Sequence, residues 1–443
     1  MTAVRTNINL NRTTNRLDEA VYRLSSGYKI NHSKDDPAGY AILRRMNEQL
    51  KGVSQANVNA ADGISIINTG EGALNEVQLM LKRMNELAVQ AASETNTMQD
   101  RENIQQEIEQ LKDEINRISE STAYNGRLLF NGETERTSYI SNASDTLSSN
   151  VAVLSQSATV SPGEYQFRVT KDPVKAEVSF NLVPGTLTIN EEQLEITQEE
   201  ISDGSAYEKI QFVCEGSEIK MEHTGTTINL TANQAGSKNE IHVQNGSTNI
   251  KKAGEDVEAA LTVSENGFSK NAVLSTEGNV ITVTDMNGFE MRIETESGAK
   301  AEGALTMNVL DSGTMQVQIG SESENMLELV FEKVSSKTLG VEDINVCTTA
   351  GASKAISLTK EASDKISKIR SRLGAYENRL NYAIDNLETQ EYNVSEATSR
   401  IGDTDMAEEM TTYTELNVLQ QATSTILSKT NQRAETIMQL LQA

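Results

Sequence analysis

His32, His223 and His242 are the imidazoles of this chain, and Cys214 and Cys347 are its thiols. A metal centre draws several such ligands together at short, repeated spacing. No two of these five residues stand at such a spacing, and no HExxH occurs, so no metal site and no cofactor is expected. A nucleophilic hydrolase would show a GxSxG turn, and a nucleotide-binding enzyme a Walker loop; neither is present. Asp and Glu number 64, enough for acid–base pairs by count, but in a chain this acidic they read as a solvated face. Lys34-Asp35-Asp36-Pro37 resembles a charged site. Its acidic pair is better explained as a helix cap, because a side-chain carboxylate there can accept from the free backbone amides of the first turn. The catalytic inventory is therefore empty.

What remains is a question of which elements these residues sit on. The chain has 443 residues and a formal net charge of -25. An acidic surface repels nucleic acid and anionic membrane. The chain has no run of eighteen apolar residues, so no membrane span is expected. The cysteines form no CxxC pair, which excludes a disulfide framework. The first residues, Met1-Thr2-Ala3-Val4-Arg5-Thr6-Asn7-Ile8, carry no apolar signal core. If the protein leaves the cell, the expected route uses no cleaved signal peptide.

The two ends are patterned alike. Leu17, Ala20, Val21 and Leu24 fall at helical spacing before Ser25-Ser26-Gly27, where Gly27 suits a helix C-terminus. Asp36-Pro37 reads as the next helix start. From there Ile42, Met46, Leu50, Val53, Ala60, Ile64 and Ile67 step by three, four or seven, and Leu74, Val77, Leu81, Met84 and Leu87 continue the phase. An unbroken helix over 37–92 is a rod of about 84 Å at 1.5 Å per residue. Gly70 and Gly72 lie within it, each costing about 1 kcal/mol against Ala, which points to a bend or to close packing. After a turn at Thr95-Asn96-Thr97, Ile104, Ile108, Leu111, Ile115 and Ile118 form a second helix able to fold back on the first. Far downstream Ala362, Ile366, Ile369, Leu373, Tyr376, Leu380, Ala383 and Leu387 repeat the pattern. Past Gly402, a final apolar face follows at Met406, Met410, Tyr413, Leu416, Leu419, Ile426, Leu440 and Leu441.

The middle changes period. Tyr165, Phe167 and Val169 alternate with polar residues, as do Ile281 and Val283, then Phe289, Met291 and Ile293, with Asn287-Gly288 as a hairpin turn. Met315, Val317 and Ile319 pair with Leu327, Leu329 and Phe331 as a second hairpin. The Ser-rich stretch 141–161 reads as a flexible connection. All seven Phe lie between Phe130 and Phe331, and three of four Pro between Pro162 and Pro184. The fold class is thus α+β, with a long antiparallel helical bundle or coiled coil built from both chain ends and a β-rich outer insertion. Long apolar stripes at both termini must pair with each other or with other copies. Head-to-tail contacts that do not close into a ring build an open helical filament.

The motifs themselves resemble those of bacterial flagellins. Arg23-Leu24-Ser25-Ser26-Gly27-Tyr28-Lys29-Ile30-Asn31 through Pro37-Ala38-Gly39, Ala61-Asp62-Gly63-Ile64-Ser65, Thr69-Gly70-Glu71-Gly72-Ala73-Leu74-Asn75-Glu76, Leu81-Lys82-Arg83-Met84-Asn85-Glu86-Leu87-Ala88-Val89-Gln90 and Phe130-Asn131-Gly132 carry it at one end. Arg372-Leu373-Gly374-Ala375-Tyr376-Glu377-Asn378-Arg379-Leu380, Ser399-Arg400-Ile401-Gly402-Asp403-Thr404-Asp405-Met406-Ala407-Glu408-Glu409-Met410 and Leu440-Leu441 carry it at the other. The resemblance covers about 1–133 and 312–443.

It implies a structural subunit of the extracellular flagellar filament, secreted through type III export without a cleaved signal peptide. It implies an N-terminal inner-tube segment at 1–35, N-terminal core helices at 36–133 and a variable outer region at 134–311. A core hairpin with the C-terminal core helix follows at 312–398, and an inner-tube helix at 399–443. Polymerisation would rest on Leu17, Val21, Leu24, Met406, Met410, Leu416, Leu419, Ile426, Leu440 and Leu441. The implied partners are other copies of the chain, an export chaperone at the C-terminal helix, filament-cap and hook-junction proteins, and Toll-like receptor 5 at Arg83, Leu87 and Glu107. Three features depart from the family pattern: the N-terminus is shorter and its first turns unusually polar, the hairpin from Met315 to Phe331 follows the variable region that it often precedes, and Asn85 stands where a basic residue is common. The runner-up readings are a hook–filament junction protein and an enzyme carried in the outer region.

Overall fold

Helix starts and stops in this chain follow its capping chemistry. In the computed structural model, which describes residues 2–141, 150–157, 159–190, 192–217, 219–246, 248–264, 267–300, 304–310 and 312–442, the first helix, α1, spans Thr2–Ser26. It ends at Gly27, whose φ of +76° is the left-handed conformation glycine adopts without strain. The next, α2, spans Pro37–Ala91. The Asp36 carboxylate accepts from the Ala38 and Gly39 amides at 3.1 and 3.0 Å, so the expected cap is formed. Asp35 binds the loop instead, accepting from the His32 and Asn31 amides. Its carboxyl is held below the ordinary range, first by the His32 bond. Helix α3, Met98–Ser121, opens on a reciprocal box between Thr97 and Asp100.

The chain divides into two units, one of Met1–Asp62, Gln318–Met326 and Leu380–Ala443, the other of Gly63–Val317 and Leu327–Arg379. In the larger unit, α2 and α3 run antiparallel, joined by Arg83 to Glu107 and by Arg101 to the Ala91 carbonyl. Helix α7, which spans Thr349–Gly402, also runs antiparallel to α2. Its Arg370 pairs with Glu71 at 2.9 Å, and Asn85 donates to Thr359 at 2.8 Å. Leu74, Val77, Leu81, Met84 and Leu87 from α2, Ile104, Ile108 and Ile115 from α3, and Ala362, Ile366, Ile369 and Leu373 from α7 are buried. These are the positions the periodicity picks out. Gly70 faces this core. A Cβ there would meet Phe331 at 3.2 Å and Phe130 at 3.3 Å, whereas one at Gly72 would meet nothing. The helix continues unbroken through both glycines, so close packing rather than a break explains Gly70.

The β-rich middle holds two layers of its own, nested. It follows the short pair β1 (Ala123–Tyr124) and β2 (Arg127–Leu128). In the first layer, strands β13 (Glu258–Thr262), β5 (Gly163–Lys171), β17 (Leu305–Val309) and β3 (Ser138–Ser141) form one sheet. Strands β14 (Val273–Glu277), β15 (Val280–Thr284), β16 (Glu290–Thr295) and β4 (Val151–Gln156) form the other. Tyr165, Phe167, Ile281, Val283, Met291 and Ile293 fill the space between. Val283 pairs with Met291 and Ile281 with Ile293. The turn at Met286–Gly288 joins these strands, with Gly288 at φ +78°, so the Asn-Gly hairpin forms. After β5 the chain leaves to build a second layer from the three strands β6 (Lys175–Asn181), β10 (Thr227–Ala235) and β9 (Ile219–Thr224), and the four strands β12 (Thr248–Ala253), β11 (Glu240–Asn245), β7 (Gly185–Ile189) and β8 (Glu192–Ile196), each in that order. Two helices, α4 (Gln198–Asp203) and α5 (Ser205–Gly216), complete it. The chain then returns through β13, which pairs with β5.

The described part of the Ser-rich stretch, from Asn150 on, is not the flexible connection its composition suggests. Val151–Gln156 is strand β4, paired to β16 through Val153 and Ile293. Short apolar alternation among the serines is enough once a partner strand is present. Residues 142–149 and 158 lie outside the described residues. The second expected hairpin forms as β18 (Met315–Gln318) and β19 (Met326–Leu329).

Candidate assembly surface

In the smaller unit α1 packs on α8, Met406–Gln442. The loops that end α1 and begin α8 are stitched together: the Lys29 amide donates to the Gly402 carbonyl at 2.7 Å, and the Thr404 amide to Gly27 at 2.9 Å. Arg23 Nε and Nη2 both donate to Glu409 Oε1, at 3.0 and 2.8 Å. Gln420 donates to Thr14 at 3.2 Å. These two pairs set α1 and α8 antiparallel.

The pairing sorts the expected assembly residues into two groups. Leu17 and Leu24 on α1 and Leu416 on α8 are partly buried, with Leu10, Ala20, Tyr413 and Leu427 beside them in sequence phase. They belong to the seam inside the subunit. Val21, Met406, Met410, Leu419 and Ile426 are 45–55% exposed. Large apolar side chains in such numbers on one helix pair make this the candidate interaction surface of the unit. The side chains of Leu440 and Leu441 lie outside the described residues. Elsewhere in this unit Tyr382 and Tyr392 on α7 stand 75% and 70% exposed. They were not singled out by the helical stripe, because each projects away from it.

The second candidate surface lies on α2 and α3. Arg83 binds Glu107 at 2.8 Å and approaches Glu86 at 3.7 Å. Both partners hold its guanidinium more firmly protonated, the Glu107 hydrogen bond most of all. Arg83 and Glu107 are open to solvent, while Leu87 is 2% exposed. Leu87 therefore forms the floor of a groove between the two helices, whose rim also includes Gln90, Asn96, Asp100 and Asn103. A partner would meet the ion pair first.

The other chemistry-bearing residues are occupied structurally. His32 stacks on Tyr22 with centroids 5.5 Å apart, and His223 stacks on Tyr207 at 4.4 Å. His242 meets Asn249 at 2.8 Å. Cys214 is buried and Cys347 partly so, both as free thiols. Among the described residues no group of three His, Cys, Asp or Glu side chains could hold a metal ion, and no helix is long and apolar enough to cross a membrane.

Residues 1–135 match the family profile described as the bacterial flagellin N-terminal helical region, and residues 356–441 match the bacterial flagellin C-terminal helical region. Polar flagellin C of Vibrio parahaemolyticus is 32% identical over 440 residues, covering 98% of this chain and 96% of that protein. Flagellin D of Vibrio anguillarum is 32% identical over 436 residues, covering 98% and 95%. A flagellin of Clostridium tyrobutyricum is 30% identical over 433 residues, covering 96% of each. The chain belongs to the bacterial flagellin family and is a structural subunit of the flagellar filament outside the cell.

Proposed function

We propose that the subunits of this filament meet through the exposed apolar positions of the α1–α8 pair. Val21, Met406, Met410, Leu419 and Ile426 reach between copies. Leu17, Leu24 and Leu416 hold α1 to α8 within each copy. The observation that carries this reading is the exposure of those five side chains beside a seam whose own apolar residues are at least partly buried. Leu440 and Leu441 are assigned to the same role by resemblance alone. Seeded elongation followed by sedimentation tests it. Deleting 406–443 is expected to leave a soluble monomer. Leu419→Glu with Ile426→Glu is expected to stop elongation while the monomer keeps its helix content. Sedimentable filaments from either chain would sink the assignment.

The finer partners follow from the family. Subunits leave by type III export without a cleaved signal peptide, held beforehand by an export chaperone on α8, and they meet the cap and hook-junction proteins in the assembled organelle. The outer region is placed at 134–311. Arg83 and Glu107 offer the contact surface to Toll-like receptor 5, with Leu87 supporting it from beneath. Arg83→Ala is expected to weaken receptor signalling in a reporter-cell assay and to leave filaments intact; unchanged signalling would remove Arg83 from this surface.

A further inference from the structure

Arg5, Arg12, Arg16 and Arg23 are separated by 7, 4 and 7 residues. At 3.6 residues per turn these steps return to one line along α1. Arg23, at the end of that line, binds Glu409 of the same copy. The other three are exposed, and among the described residues no ion pair joins them to a carboxylate. The stretch of their own α8 that runs beside them carries no carboxylate. The register fixed by Arg23 with Glu409 and by Thr14 with Gln420 sets Arg16 and Arg12 beside the stretch that follows Glu415. From Leu416 to Ala434 that stretch contains no Asp or Glu. In a chain of net charge -25, a row of three arginines thus has no ion-pair partner across the helix pair among the described residues.

Carboxylates in matching array stand on α8. Glu408 and Glu415 are exposed and seven residues apart, on the face that continues through exposed Leu419 and Ile426. Arg5 and Arg12 are also seven apart, so both pairs repeat at about 10.5 Å along their helices. We propose that the arginine row of one copy receives Glu408 and Glu415 of the next. The ladder rests on the reading of α1 and α8 as assembly helices and names what those helices present to each other. It is heterologous, arginines on one side and carboxylates on the other, and so propagates without closing. It also explains how a helix as polar as α1 takes part in packing: charge complementarity sets register and speeds encounter where apolar area is small.

Seeded elongation of the full-length chain at low and high salt tests it. Arg5→Glu with Arg12→Glu and Arg16→Glu is expected to raise the critical concentration at least about tenfold at low salt, and Glu408→Arg with Glu415→Arg to do the same. The chain carrying both sets is expected to return to within about threefold of the unaltered one. Reversed chains that elongate normally, or a combined chain no better than either, overturn the ladder while leaving the assembly reading in place. An unaltered chain that fails to elongate from seeds overturns both. A trapping experiment is independent of reversal effects on folding. Within one copy residues 5 and 408 lie about 28 Å apart along the helix pair. Arg5→Cys with Glu408→Cys is therefore expected to give disulfide-linked multimers in polymer, beyond those of the unaltered chain. Monomers alone would overturn the proposal.

Discussion

Arg23 and Glu409 stand 386 residues apart in sequence and share a two-donor contact at 2.8–3.0 Å. Glu409 is the more covered of the two, with its side chain 13% exposed. It lies one residue from the exposed Glu408, so adjacent carboxylates on α8 face inward and outward. A partly buried, forked arginine pair contributes about 1 kcal/mol, above the median for surface pairs. Arg23→Ala is expected to leave the bundle of α2, α3 and α7 intact and to loosen α1 from α8. Hydrogen exchange checks this, with faster exchange expected in both α1 and α8. Unchanged protection in α8 would mean that the ion pair does not hold the helices together.

The two glycines of α2 should respond in opposite ways to the same substitution. Gly72→Ala meets open space and is expected to stabilise the chain by up to about 1 kcal/mol, through helix propensity alone. Gly70→Ala brings a methyl against the rings of Phe130 and Phe331, which sit edge to face with centroids 6.0 Å apart. Crowding that pair offsets the propensity gain, and a net loss of about 1 kcal/mol is expected. Urea unfolding of the two variants gives the comparison; equal stabilisation would show that the rings yield freely.

Burial pushes the Glu135 carboxyl up to about 7, and nearby Glu332 adds to the effect, against the Lys333 amide that donates to it. The folded chain therefore keeps this proton across a window, about pH 4.5 to 7, in which the unfolded chain has lost it. Stability from this group is full below the window and declines as pH rises through it, by at most about 3 kcal/mol. Glu135→Gln is expected to remove that decline and to be the more stable chain at pH 8. Unfolding free energies at pH 4.5, 6 and 8 for both chains check it. Parallel curves would show that Glu135 titrates normally.

Lys365 shows the reverse shift. Burial lowers its ammonium to about 8, with Arg292 adding repulsion. Its Nζ donates to the Thr338 and Leu339 carbonyls at 3.4 and 3.2 Å, at the end of the short helix α6, Ser336–Leu339. The unfolded chain binds this proton more tightly, so stability from the group rises as pH climbs from about 8 to 10.5. Lys365→Met is expected to erase that alkaline rise and to change stability at pH 7 by less than about 1 kcal/mol, the lost hydrogen bonds offsetting the relief of a buried charge. Thermal unfolding at pH 7 and 9.5 reads both effects.

Helical periodicity exposed most of the bundle in the sequence, because every turn of α2, α3 and α7 repeats the same apolar stripe. Capping at Asp36-Pro37 was equally plain. Strand β4 was not, since Val151 and Val153 carry too little alternation among the serines to announce a partner more than a hundred residues away. The pairing order of the second layer was hidden for the same reason: β7 joins β11 across the whole of α4 and α5. At the assembly surface, Leu17 and Val21 lie one turn apart on one stripe, yet one falls into the seam and the other into solvent. The stripe gives a helix its direction but not the width of its neighbour. Arg23 and Glu409 have no local signature at all, because the register that joins them is set by packing at both ends of the chain.

Order of synthesis gives the α1–α8 pair a further meaning. Helix α1 leaves the ribosome some four hundred residues before the segment it packs against. During all of translation it has no mate. A product cut short anywhere before Met406 carries an unmatched α1 and lacks every outward side chain of α8. On the proposed assembly reading such fragments are expected neither to join a filament nor to block one, so that the last element made would mark a finished chain; adding a chain that ends before Met406 to seeded elongation of the full-length protein checks this.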